Sequence, residues 1–269
     1  MREKMSANSK ANMFFPGEMD NSDETLSWLR SELDRICEEI AKKFNLFDAR
    51  GRPKKSFIVD TLMRNICPAC AIKQLTQPCE DDVDMLYREG HGLALNIFVE
   101  ILRYELKRNG LNALVEGEVA GDYGRLDVII RLINQGIMLE FKDAAIIIEL
   151  KTGISISLIQ LLRYGMEYPN SIIVVWRIRM KQFFMIDMRR HGRILFAIMF
   201  AALNRGLAIL NGAFTECHHN YRGNQNKASR MENPQQLIDE LFSSLSSDLP
   251  SVLRMILRLA GEKFRASET

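Results

Sequence analysis

The chain has 269 residues, 47% of them hydrophobic and 26% charged, which is the make-up of an ordinary globular protein with length enough for a large core. Collagen-like, low-complexity and disulfide-scaffold classes are excluded. Thirty-six Lys and Arg against 34 Asp and Glu leave a net charge of +2, so any surface for nucleic acid has to be local rather than global.

In chain order, residues 1–21 are polar and aperiodic and read as a flexible arm without the apolar run of a signal peptide. A helical region is expected over 22–80. Asp23 and Glu24 sit where a helix dipole favours acids, and Leu26, Leu29, Leu33, Ile36 and Ile40 recur at helical spacing as far as Phe44. Residues 48–55 break the pattern with Gly51 and Pro53 and concentrate Arg50, Arg52, Lys54 and Lys55. They read as a solvated linker or as a loop that contacts phosphate. A short helix over 56–66 leads into a cysteine-containing stretch.

The core is expected over 81–190. A long helix spans 82–109 with Leu93, Ile97, Ile101 and Leu102 on its buried face, stopped by Asn109-Gly110. Strands follow at 111–119 and 126–133, with a hairpin loop at 134–136 that residues 137–141 extend. The order then runs strand 144–151, helix 155–167, and strands 171–176 and 183–188. A C-terminal helical region, 191–269, holds a buried helix at 192–210, a polar segment at 218–234 and two amphipathic helices at 235–245 and 249–260. The longest apolar stretch, 194–203, falls short of the roughly 20 residues that cross a bilayer, so no membrane contact is expected. The sum is a mixed α/β fold with flanking terminal helices.

The segment Ala144-Ala-Ile-Ile-Ile-Glu-Leu-Lys151 carries the chemistry. Three consecutive isoleucines indicate a strand covered on both faces. Glu149 and Lys151, two residues apart, project from the same side of it. Charges in such a place need a partner or a metal, and pairing with each other is the simplest arrangement. Asp127 opens another apolar strand upstream, and a hairpin brings it beside Glu149. Two carboxylates at that distance repel unless a proton or a cation lies between them. Oxygen ligation of this kind suits magnesium or manganese.

Asp127 followed by Glu149-Leu150-Lys151 resembles the D…ExK signature of the PD-(D/E)XK nuclease superfamily. The longer series is Gly124-Arg-Leu-Asp127, Glu149-Leu-Lys151 and Gln160-Leu-Leu-Arg-Tyr164. It is similar to the GxxD, ExK and QxxxY motifs of the RecB-like branch, which includes CRISPR-associated RecB-type nucleases. Leu126 stands where the superfamily has proline. The resemblance spans roughly residues 82–190 and implies a restriction-endonuclease-like core. It also implies Mg or Mn ligation by Asp127, Glu149 and the Leu150 carbonyl, with Lys151 orienting water or stabilising charge. Gln160 and Tyr164, at i and i+4, would share one helix face at the site. His91, in Glu89-Gly-His-Gly92, resembles the branch's histidine ligand, although flanking glycines disfavour a helix interior there. Glu100 is the alternative, and Glu116 and Glu118 are weaker ones.

Cys67-Pro-Ala-Cys70 and Cys79 resemble the branch's Cys-Pro element, with Cys217 following the core. Iron–sulfur members carry one cysteine before the motifs and three after, and this chain reverses that count. Cys67, Cys70, Cys79 and Cys217 are buried thiols or ligands of a [4Fe–4S] cluster or zinc. Cys37 reads as packing. An odd cysteine count fits a reducing, cytoplasmic setting.

The function expected is a metal-dependent deoxyribonuclease. The alternatives are a junction- or flap-selective endonuclease acting as a homodimer and a weakly catalytic DNA-binding protein of a nucleoprotein complex. Arg125 and Arg163, with Arg50, Arg52, Lys54, Lys55, Arg177, Arg179, Lys181, Arg189 and Arg190, are the candidate DNA contacts.

Overall fold

The structure, a computed structural model, describes residues 23–65, 67–76, 85–134, 137–138, 145–151, 156–212 and 234–266. The helices are α1 (Asp23–Phe44), α2 (Lys55–Arg64), α3 (Pro68–Thr76), α4 (Met85–Arg108), α5 (Leu158–Glu167), α6 (Gly192–Leu210) and α7 (Pro234–Ala266). The strands are β1 (Ala113–Ala120), β2 (Arg125–Asn134), β3 (Ile137–Met138), β4 (Ala145–Lys151), β5 (Ile172–Arg177) and β6 (Gln182–Asp187). Five strands form a mixed sheet in the order β1-β2-β4-β5-β6, and the two-residue β3 pairs with β2. β1, β2 and β4 run antiparallel in succession. α5 then carries the chain across to β5, which lies parallel to β4.

Alternation along the strands divides the apolar side chains between two layers. Ile129, Ile147, Ile173 and Val175 face a core shared with α1, α2, α3, α5 and α6. Val128, Ile130, Ile146, Ile148, Val174 and Trp176 face the other core, filled by α4 and α7. The Ile146-Ile147-Ile148 run is fully buried because it feeds both layers. Phe98 of α4 meets Trp176 edge-on, with ring centroids 5.3 Å apart.

Three sequence expectations change here. The buried stripe of α4 is Leu95, Phe98, Val99, Leu102 and Leu106, not the face through Leu93, which is 52% exposed. Spacing of three and four fits the former stripe better, and extended back one turn it reaches His91. His91 therefore lies inside α4, flanking glycines notwithstanding. The two expected C-terminal helices are the single α7, continuous through Pro250. One missing N–H is tolerated where Val252, Ile256, Leu259 and Ala260 anchor the same face.

Residues 188–210, including α6, are by length and composition alone apolar enough to cross a membrane, with a mean hydropathy of 1.7 over an 18-residue window. The expectation from 194–203 alone had understated that length. Leu195, Phe196, Met199, Ala202, Leu203 and Ile209 of α6 are buried against the N-terminal helices.

Candidate active site

β1 ends, β2 begins and β4 ends at the same edge of the sheet, and the candidate residues gather there. The β2–β4 ladder stops at Val128↔Ile148, and its next step sets Asp127 opposite Glu149. Asp127 leaves the regular alternation: Leu126 and Ile129 share one core although they are three residues apart, while Val128 lies in the other. Across from Asp127, Glu118 has the left-handed φ of 53° and forms the gap in the β1–β2 register. Left-handed backbone in a non-glycine residue within a strand is uncommon and concentrates at functional sites.

Freed from the ladder, the Asp127 carboxylate accepts the Leu150 amide at Oδ2 (2.8 Å). Its Oδ1 lies 3.5 Å from Nε2 of His91. An extended residue aims its N–H and C=O toward the same neighbouring strand. The Leu150 carbonyl is thus directed to the Asp127 side, past the end of the ladder.

Glu149 is 1% exposed and turned toward α5. Its Oε1 pairs with the Lys151 ammonium and accepts Nε2 of Gln160 at 2.8 Å. Its Oε2 accepts the Tyr164 hydroxyl at 2.6 Å. Gln160 also accepts Lys151 Nζ (2.8 Å) and donates to the Tyr164 oxygen (2.5 Å). Ser157 caps α5 by accepting the Gln160 amide, which fixes the start of the helix that presents Gln160 and Tyr164. Sequence reasoning passed over Ser157, although a serine just ahead of an apolar helical run is an N-cap signal.

The electrostatics follow from burial. Loss of water pushes the Glu149 carboxyl up, the neighbouring Asp127 charge pushes it further, and Lys151 and Tyr164 act against both. The His91 imidazole is raised chiefly by its bond to Asp127. Burial, then the Glu149 charge, raises the Tyr164 phenol.

Other candidates lie elsewhere. Glu100 is exposed and pairs with Arg103, and Glu116 pairs with Arg131. Glu118 holds Arg125 at 2.6 Å beside the site. The Arg163 side chain is 13% exposed, donates to the Ser56 carbonyl and hydroxyl (3.0 Å each) and lies 3.8 Å from Asp60. It braces α5 against α2 rather than facing solvent. Cys67 and Cys70 stand at the start of α3, with the Cys70 amide 3.4 Å from Cys67 Sγ. Cys79 and Cys217 lie outside the described residues. Cys37 is buried, which pushes its thiol up to about 12.

Among the described residues, no three His, Cys, Asp or Glu side chains stand close enough together to hold a metal. The oxygens that could ligate a hard cation here are those of Asp127, Glu149 and the Leu150 carbonyl, and both Glu149 oxygens are engaged by Lys151, Gln160 and Tyr164. No family model, curated protein or solved structure matches the chain.

Proposed function

We propose that the protein is a metal-dependent deoxyribonuclease with a restriction-endonuclease-like core. The reading rests on one observation: Asp127, Glu149, Lys151, Gln160 and Tyr164 interlock at a single sheet edge, each bonded to another of the set or to the backbone of a neighbour. An antiparallel meander followed by a helix and a parallel strand is consistent with that core. DNA is the proposed partner, in a cytoplasmic setting without membrane contact.

Asp127, Glu149 and the Leu150 carbonyl would hold magnesium or manganese, with His91 adjoining. Such a cation polarises a phosphate oxygen and lowers the pKa of water. Holding it there would require Glu149 to release Lys151, whose ammonium would then be available to orient water or to stabilise charge developing on the phosphate. Gln160 bridges the two, accepting from Lys151 and donating to Glu149. The water oxygen gives up a proton to solvent and bonds to phosphorus as the ester P–O bond breaks, and the leaving oxygen takes a proton from solvent, leaving one phosphate end and one hydroxyl end. Tyr164 holds Glu149 from behind, anchored against the Arg125 carbonyl at 3.0 Å.

The test is cleavage of labelled linear, single-stranded, flap and four-way DNA with Mg or Mn, with chelator as control. Cutting by wild type that is lost in Glu149→Ala and Lys151→Ala supports the reading. Equal cutting by all three refutes it, and binding without cutting favours the assembly-protein alternative.

A further inference from the structure

A cleft of about 620 Å³ opens at the turn that leads from β1 into β2, the strand that carries Asp127. One wall is the basic segment, with Arg52, Lys54, Lys55 and Ser56; the other is the β1–β2 turn at Ala120, Gly121 and Asp122. Both walls are fixed. Asp48 accepts the Arg50 and Arg52 amides and pairs with the Arg52 guanidinium, closing the loop on itself. Lys55 is held 3.3 Å from Asp34. On the facing wall the Glu167 carboxylate accepts the backbone N–H groups of Asp122 and Tyr123. It packs where any Gly121 side chain would sit, 2.1 Å from an added Cβ. Arg163 ties the base of the loop, at Ser56, to α5, the helix that carries Gln160 and Tyr164.

Asp48 of the loop and Asp34 of α1 are thus engaged by Arg52 and Lys55, while the exposed side chains of Arg50 and Lys54 carry no ion pair among the described residues. A cationic wall held rigidly against the helix of a phosphodiester-cutting site matches the charge of a DNA strand. Asp122 faces it from the far side, with the Glu167 carboxylate packed against Gly121 of the same wall.

We infer that this cleft and the loop that rims it bind the DNA backbone away from the cut, with Lys54 in the cleft and Arg50 on the exposed loop each contacting a phosphate. The inference rests on the nuclease reading for the identity of the ligand, and it is tested without cleavage. A labelled duplex oligonucleotide is titrated by fluorescence anisotropy over a fourfold rise in salt, with chelator present, against wild type and Arg50→Ala/Lys54→Ala. Two lost phosphate contacts lower the slope of log K against log salt by about 1.8, so wild type loses about twelvefold more affinity than the variant across that range. Lys107→Ala/Arg108→Ala, at the far end of α4, removes the same charge and leaves the slope at the wild-type value. Arg50→Lys/Lys54→Arg restores it, which separates charge from folding. An unchanged slope in the first variant, an equal drop in the far-end control, or no duplex binding by wild type each overturns the proposal. Cleavage lost in Glu149→Ala beside an unchanged slope sinks the cleft and leaves the nuclease reading standing. A lowered slope with no cutting under any metal does the reverse.

Discussion

Lys151→Met removes the ammonium that, among the described residues, pairs with the buried Glu149 carboxylate. Breaking a buried pair from one side costs about 3–5 kcal/mol, because the remaining charge is stranded. The Lys151 side chain is 18% exposed, and Gln160 and Tyr164 still donate to Glu149, so the low end, about 3 kcal/mol, is expected. That corresponds to a fall in Tm of about 6–12 °C for a chain of this size. Glu149→Gln should behave oppositely, neutral or stabilising, since burial is the largest influence disfavouring its charged form. In that background Lys151→Met should cost about 1 kcal/mol or less, giving a coupling of about 2 kcal/mol in a double-mutant cycle. Urea unfolding of the four proteins near neutral pH is the assay. An equal cost of Lys151→Met in both backgrounds would refute the coupling. The pH dependence has a definite sign. A carboxyl raised in the folded state contributes stability below the ordinary carboxylate range and loses it as pH rises through the folded value. The advantage of Glu149→Gln over wild type therefore grows as pH rises above the ordinary carboxylate range of about 4.

Phe98→Ala removes the ring that packs on Trp176 and should cost about 3–5 kcal/mol in chemical denaturation; a loss under about 1 kcal/mol would mean that α4 is not seated on the sheet. Gly206→Ala drives a methyl to 2.4 Å from Ile36 Cγ2 and should cost about 1–3 kcal/mol, read as a lowered Tm; no change would contradict the close α1–α6 approach. Tyr164→Phe leaves Glu149 Oε2 without its hydroxyl donor and should lose about 1–3 kcal/mol of stability together with cleavage rate; an unchanged rate would detach Tyr164 from the site.

The elements were legible where pattern and packing agree. The isoleucine run of β4 announced burial on both faces, and the apolar spacing of α1 marked its extent. Spacing of two along a strand placed Glu149 and Lys151 on one side, and i, i+4 spacing placed Gln160 and Tyr164 together. What escaped was set by long-range contact. The buried face of α4 depends on which of two adjacent stripes meets the sheet, and both look apolar in one dimension. Arg163 looked like a DNA contact because no local pattern reveals that Ser56 and Asp60, about 107 and 103 positions away, claim its guanidinium. Nor does spacing show that Asp127 leaves the ladder, since the distortion arises with Glu118 on another strand.

The most direct test of the central claim, that Asp127 and Glu149 converge on a hard cation, is titration with Mn²⁺ followed by its electron paramagnetic resonance signal. Saturable binding by wild type should be lost in Asp127→Asn and Glu149→Gln. It should be kept or tightened in Lys151→Met, where the ammonium that competes for Glu149 is gone. Equal binding by wild type and both carboxylate variants would contradict the account.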